Sequence, residues 1–204
     1  MKFAISGLYA ITPEESNTAK LLLKVKLALQ GGVRVLQYRN KSSDAVTRLE
    51  QATALLQLTR EFAVPLIIND DAQLAKKVDA DGVHLGGEDG SVAAARALLG
   101  VEKIIGVSCY NRLDLAHEAV KQGADYVAFG ALFASTVKPD APVATLALLQ
   151  QARLEIPLPK VAIGGITLDN GTSVLQAGAD ALAVISALFD AEDICLTARG
   201  FENL

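Results

Sequence analysis

The chain has no tryptophan, two cysteines and 5% aromatic residues in 204. Cys109 and Cys195 lie far apart, and neither sits in a CxxC pair or a Cys/His cluster. That argues against a disulfide scaffold or zinc site and makes a reducing cytoplasm the simplest compartment. Basic runs are also missing, and 19 Lys+Arg against 23 Asp+Glu leave a net charge of −4. A nucleic-acid surface needs a basic stripe and often stacking aromatics, so nucleic acid is not an expected partner. A small anion stays compatible, because a few cationic side chains in one pocket outweigh a weakly acidic average. No apolar stretch approaches the roughly 18 residues that span a bilayer, so no membrane partner is expected. Residues 1–11 make a poor targeting signal, being interrupted by Ser6, Gly7 and Tyr9 with no small-residue cleavage site after them.

At 51% hydrophobic and 21% charged, the composition is that of a folding chain rather than a disordered, collagenous or coiled-coil one. Length alone sits between one domain and two. A chain of this size buries roughly 70% of its surface in one core, enough for a compact single domain over residues 1–204.

One pattern recurs, in which a helical segment ends at Gly or Asp-Gly and a short β-branched run follows. It is seen around Gly31-Gly32, Asp79-Ala80-Asp81-Gly82, Gly123-Ala124-Asp125 and Gly178-Ala179-Asp180. A left-handed glycine that stops each helix explains it. Strands are expected at residues 3–11, 33–38, 66–69, 82–85, 104–108, 126–130, 160–163 and 181–185, with helical spacing between them, as over 46–62, 113–122 and 168–177. Strict alternation implies a parallel sheet covered by helices. Eight units of about 25 residues fit a small closed (β/α)8 TIM barrel, an α/β fold. The open alternative lacks its G-x-G-x-x-G turn after the first strand.

In such a barrel the chemistry sits at the carboxyl ends of the strands. The second strand ends Gln37-Tyr38-Arg39-Asn40-Lys41, whose arginine and lysine suit a phosphate or carboxylate, although a solvated loop edge reads the same way. The third ends Asn69-Asp70-Asp71. Its carboxylates suit a divalent cation or a helix cap, and the cap explains one of them better than both. After the fourth, Gly86-Gly87 permits close backbone approach and Asp89 faces the mouth shared with Asp70. His84 reads as a hydrogen-bonded core histidine, and His117 as a surface residue. Ser108 has no Ser/His/Asp partner in the sequence and reads as a hydrogen-bond donor, and Cys109 as structural. Residues 130–142 form the longest stretch without helical periodicity and bring Ser135, Thr136 and Lys138 together. Gly164-Gly165, with a helix starting near Leu168, and Ile185-Ser186 close the seventh and eighth units, the usual place for a phosphate in this fold.

Taken in order, Leu8-Tyr9-Ala10-Ile11-Thr12, Gln37-Tyr38-Arg39-Asn40-Lys41, Ile68-Asn69-Asp70, Gly82-Val83-His84-Leu85-Gly86, Gly106-Val107-Ser108, Ala124-Asp125-Tyr126-Val127 and Ala162-Ile163-Gly164-Gly165-Ile166 resemble the thiamine phosphate synthase (thiamine-phosphate pyrophosphorylase) family over nearly the whole chain. The resemblance implies a transferase that condenses 4-amino-2-methyl-5-(diphosphooxymethyl)pyrimidine with 4-methyl-5-(2-phosphoethyl)thiazole, or its carboxylate form, to thiamine phosphate and pyrophosphate. It assigns the pyrimidine diphosphate to the segment Gln37, Tyr38, Arg39, Asn40 and Lys41 and to Asn69, Ser108 and Lys138, with Arg39, Ser108 and Lys138 closest to the chemistry. Ser135, Thr136, Val137, Gly165, Ile185 and Ser186 would meet the thiazole phosphate, and Asp70 and Asp89 would hold Mg²⁺. The implied reaction is dissociative: pyrophosphate leaves, and the thiazole nitrogen captures a pyrimidinylmethyl cation.

The chain departs from the family where a usual Pro-Thr-x-Thr-Lys reads Ala134-Ser135-Thr136-Val137-Lys138, where Gly87 replaces a common glutamine, and where Ala131 replaces a frequent proline. Two other readings are a thiazole tautomerase of the same fold, which relies on a histidine where Tyr110 stands, and a noncatalytic phosphate-ligand binder. The exposed helices of a barrel also offer surfaces for a homo-oligomer.

Overall fold

The computed structural model describes residues 4–87, 89–133 and 143–204. Along the chain run β1 (Gly7–Ile11), α1 (Thr18–Gln30), β2 (Val35–Tyr38), α2 (Ala45–Glu61), β3 (Leu66–Asn69), α3 (Ala72–Val78), β4 (Gly82–Leu85), α4 (Val92–Leu99), β5 (Ile104–Tyr110) and α5 (Leu113–Lys121). They are followed by β6 (Tyr126–Phe129), α6 (Leu146–Glu155), β7 (Lys160–Ile163), α7 (Leu168–Gln176), β8 (Ala181–Val184), α8 (Ser186–Phe189) and α9 (Ile194–Glu202). The strands pair in parallel in sequence order and close into a barrel through β1 and β8, the (β/α)8 architecture expected. The first strand starts at Gly7 rather than Phe3, and the fifth extends past Ser108 to Tyr110.

Two hydrophobic sets hold this arrangement, because strand side chains alternate between faces. One face packs outward under the helices, with Leu8, Leu36, Ile68, Val83, Ile105, Val127, Ala162 and Leu182. The other fills the barrel with Tyr9, Val35, Ile67, Ile104, Tyr126, Val161, Ala181 and Ala183. Helix starts are set by polar caps: the side chains of Asn17, Asp44, Asp71, Ser91, Thr145 and Asp193 each accept from backbone N–H groups of the first turn.

The recurrent helix-to-strand pattern has two physical parts. Left-handed residues stop the helices at Gly32, Gly123 and Gly178, as expected, but at the fourth junction the left-handed residue is Asp79 (φ 59°) and not a glycine. Gly82 lies within β4 instead, where a Cβ would strike Ile104 of the neighbouring strand. The aspartate of each Asp-strand junction carries the second part. Asp81, Asp125 and Asp180 precede alternate strands. Each binds the first residues of the preceding strand twice, its N–H donating to a carbonyl and its carboxylate accepting an N–H: Leu66 for Asp81 (3.0 and 2.8 Å), Ile105 for Asp125 (2.7 and 2.8 Å) and Lys160 for Asp180 (2.8 and 2.7 Å). These clips lie at the amino ends of the strands, which leaves the carboxyl ends to the site.

Candidate active site

Inside the barrel a chain of polar groups runs toward the carboxyl mouth. The Gln37 amide nitrogen donates to the Tyr9 hydroxyl at 2.8 Å, and the Tyr9 and Tyr126 hydroxyls are 2.8 Å apart. Tyr126 Oη is 2.9 Å from His84 Nδ1, and His84 Nε2 is 2.9 Å from Ser108 Oγ. The strands impose this grouping, since Gly106 pairs with both His84 and Tyr126 across the sheet. Gly106 is required there, because a Cβ would overlap the Tyr126 ring. The rings of His84 and Tyr126 stack with centroids 5.5 Å apart. Burial pushes the His84 pKa down to about 4, against a smaller opposing pull from the Asp70 charge, so the imidazole is neutral near pH 7. His84 is thus the hydrogen-bonded core histidine its sequence context suggests. The tyrosines, placed inside by period-two alternation, carry no polar signal that would have revealed their link to it.

At the rim, Lys41 Nζ lies 3.0 Å from Asp70 Oδ2. Asp70 has a left-handed backbone (φ 64°), and its N–H donates to the His84 carbonyl at 2.8 Å. That anchor ties the end of β3 to β4. Asp71 caps α3 through Leu74 N at 2.8 Å, so the two aspartates divide as the cap argument requires and Asp70 is left for the mouth. Asp89 accepts from Gly86 N at 3.0 Å. Its carboxyl is held above the usual range by burial first and then by its hydrogen bond with, and the charge of, Asp70. Asp70 and Asp89 therefore form a carboxylate pair beside one ammonium. Among the described residues no group of three or more His, Cys, Asp or Glu could hold a metal ion. Two carboxylates are what Mg²⁺ takes when substrate phosphates complete its shell, and a dication would relieve the repulsion between them.

Arg39 pairs with Glu14 at 2.9 Å, and its backbone is held by the Thr12 hydroxyl. Glu14 also accepts from Lys41 N and from Ser42. Burial raises its pKa, but those hydrogen bonds and the Arg39 charge outweigh it and hold the carboxyl below its usual range. Glu14, which organises the loop after β2, went unnoticed in the sequence, because only the barrel brings the β1 and β2 ends together. Tyr38 and Asn40 turn the other way: their side chains donate to Gln51 of α2 at 2.8 and 3.0 Å, leaving backbone rather than side chain at the mouth. Gln37 points inward from β2, whereas Arg39 and Lys41 lie beyond the end of the strand, in its loop.

β5 carries a register shift between Ser108 and Tyr110 against β6. The irregularity buries Cys109, whose thiol is pushed up to about 12, mainly by burial, and is not a nucleophile. It also puts Tyr110 in a left-handed conformation (φ 55°), with its hydroxyl accepting from Gly87 N at 3.0 Å. Where the family's glutamine and the tautomerase histidine would stand, this chain therefore has a glycine and tyrosine bonded to each other. Asn69 lies half-buried at the end of β3, beside His84 in register. Gly165 is exposed and left-handed (φ 64°), with its carbonyl held by Asn170 of α7 at 3.0 Å, and Ser186 is exposed at the start of α8. Ile185 is half-buried and packs against the barrel interior. Ser135, Thr136, Val137 and Lys138 lie outside the described residues.

A family model described as thiamine monophosphate synthase matches residues 8–188. The thiamine-phosphate synthase of Methylobacillus flagellatus is 59% identical over 98% of this chain and 95% of its own. That of Nitrosospira multiformis is 53% identical over 98% and 86%. Among solved structures, the thiamine phosphate pyrophosphorylase from Pyrococcus furiosus superposes with a TM-score of 0.86 at 38% identity, covering 97% of this chain and 94% of that one. A 3-hexulose-6-phosphate synthase at 18% identity and TM-score 0.69 shares the fold alone.

Proposed function

The chain belongs to the thiamine monophosphate synthase family, and on that premise we propose that it joins the pyrimidine diphosphate to the thiazole phosphate at the carboxyl mouth of its barrel. It is a transferase, a thiamine-phosphate synthase, acting on small molecules. The observation that carries the site assignment is the meeting of Lys41, Asp70 and Asp89 at the rim, with Asp70 N–H bonded to the carbonyl of His84, whose ring meets Ser108.

Asp70 and Asp89 would hold Mg²⁺, which when bound supplies positive charge to the pyrophosphate group. Arg39 and Lys41 bind the same group from the β2 side, and Lys138 serves it from the segment after β6. Their task is to gather the charge that builds on the leaving pyrophosphate, and no protein nucleophile is needed. Gln37, Asn69 and Ser108 bind the pyrimidine diphosphate and orient it, so that its exocyclic carbon faces the thiazole nitrogen when the C–O bond breaks. Gly165 and Ser186, at the ends of β7 and β8, bind the thiazole phosphate, a group that Ser135 and Thr136 also serve. Tautomerase chemistry is disfavoured because position 110 offers a phenol engaged by Gly87 N in place of a histidine.

Purified protein incubated with both substrates, with and without Mg²⁺, is expected to release pyrophosphate and thiamine phosphate only when Mg²⁺ is present. Absence of Mg²⁺-dependent product would refute the assignment, and isomerised thiazole in its place would make the chain a tautomerase.

A further inference from the structure

Counting donors and acceptors along the interior polar chain gives it a direction. Each hydroxyl has one proton to donate. Tyr9 and Tyr126 are fully buried and Gln37 nearly so, so a stranded proton there has no water to take it. The Gln37 amide nitrogen can only donate, and it faces Tyr9 Oη. For the Tyr9 proton to be paired it must go to Tyr126, the hydroxyl's other neighbour. Tyr126 then gives its own proton to His84 Nδ1, which must be bare to accept it. A neutral ring with bare Nδ1 carries its hydrogen on Nε2 and donates it to Ser108 Oγ. The Ser108 proton is thereby left over, free to point into the mouth.

We propose that Tyr9, Tyr126 and His84 are positioning residues, a one-way hydrogen-bond chain from Gln37 that holds His84 as its Nε2–H tautomer and makes Ser108 a donor toward the pyrimidine diphosphate. Two alternatives are set aside, the first by the same count and the second by its match to the substrate. In a doubly protonated imidazole both nitrogens donate, which returns the Tyr126 proton to Tyr9 and strands the Tyr9 proton in the dry interior. If the Gln37 amide turns over so that its oxygen meets Tyr9, the whole chain reverses. Ser108 then spends its proton on Nε2 and shows the substrate only lone pairs, a poor match for a ligand whose diphosphate only accepts.

The role toward substrate rests on the function proposed above; the tautomer rests on the Gln37 amide nitrogen facing Tyr9 and is read in the ligand-free protein. The chain has two histidines, so ¹⁵N imidazole NMR of protein carrying His117→Gln, a substitution at a half-buried position on α5 paired with Glu155 and outside the barrel interior, isolates His84. A single Nε2–H pattern is expected. Tyr126→Phe removes the proton that imposes it and should yield a mixed or inverted pattern, whereas Ser108→Ala should keep Nε2–H. In steady-state assays Tyr126→Phe should lower kcat/KM for the pyrimidine diphosphate about tenfold, the equivalent of one such hydrogen bond, and leave KM for the thiazole phosphate unchanged. An Nδ1–H pattern in the parent protein would overturn the proposal whatever reaction the protein catalyses. It also fails if Tyr126→Phe keeps a pure Nε2–H pattern, if Ser108→Ala is what changes the tautomer, or if kcat/KM for the pyrimidine diphosphate is unmoved. Loss of activity in the parent with the Nε2–H pattern intact would instead count against the proposed function and leave the tautomer assignment standing.

Discussion

Asp70 and Asp71 are chemically alike and adjacent, yet Asp71 is consumed by the first turn of α3 while Asp70 reaches the mouth in a left-handed conformation. Asp70→Asn keeps the size and polarity of the side chain and removes the charge meant for a cation. Turnover is expected to fall about 10²-fold with the melting temperature nearly unchanged; a melt that collapses with activity would assign Asp70 a structural role. Lys138→Ala should behave likewise. His84 makes a stability prediction with a definite sign. Its pKa is about 4 in the folded protein and about 6.5 unfolded, so the unfolded chain takes up the proton first as pH falls. Stability is unaffected above pH 7 and declines from about pH 6.5 to 4, by roughly 3 kcal/mol in full. Urea unfolding of the parent and of His84→Gln across that range should show the steeper acid decline in the parent, and parallel curves would contradict the burial argument. At this scale the sequence exposed candidates by type and position, such as Asp70, Asp89 and Lys41. It hid Glu14 and the two tyrosines, whose roles depend on neighbours brought close by other strands.

The aspartates before β4, β6 and β8 show how a short element carries a repeated instruction. Each aspartate lets the chain enter one strand while clipping the start of the strand before it, so a short strand is held at the end away from the site. Asp125→Ala removes an acceptor from Ile105 N and the partner of Arg96 at 2.6 Å. It is expected to cost about 2 kcal/mol, measured by urea unfolding, with KM values unchanged because the clip lies at the opposite end of the barrel. Gly106→Ala tests the interior from the other side. The added methyl must displace the Tyr126 ring, so a loss of about 1–3 kcal/mol should come with reduced affinity for the pyrimidine diphosphate. A stability loss with unchanged affinity would mean that the polar chain tolerates the shift. The helix-to-strand repeat was readable as punctuation, and the strand register that turned its aspartates into clips was not.

Closure of β1 on β8 makes the interior one compartment, filled by Tyr9 and Tyr126 from strands far apart in sequence. α9 completes the outer layer beside that seam, with Ile194, Ala198 and Phe201 buried and Glu202 paired to Arg34 at 2.8 Å. With no tryptophan present, tyrosine fluorescence reports substantially on the interior while far-UV circular dichroism reports on the helices. Both signals are expected to be lost in one urea transition, and two separated transitions would show that the barrel is not a single cooperative unit. The sequence by itself determined the β/α alternation, the likeness to a synthase family and the residue types available at each strand end, because periodicity, turn chemistry and short motifs are local. Only the tertiary structure decided that Asp70 rather than Asp71 meets Asp89, that Tyr38 and Asn40 spend their side chains on α2, and that a polar chain links Gln37 to Ser108. Each of those outcomes depends on which strands are neighbours and on their register, relations between residues up to 117 apart in the chain that exist only once the barrel has closed.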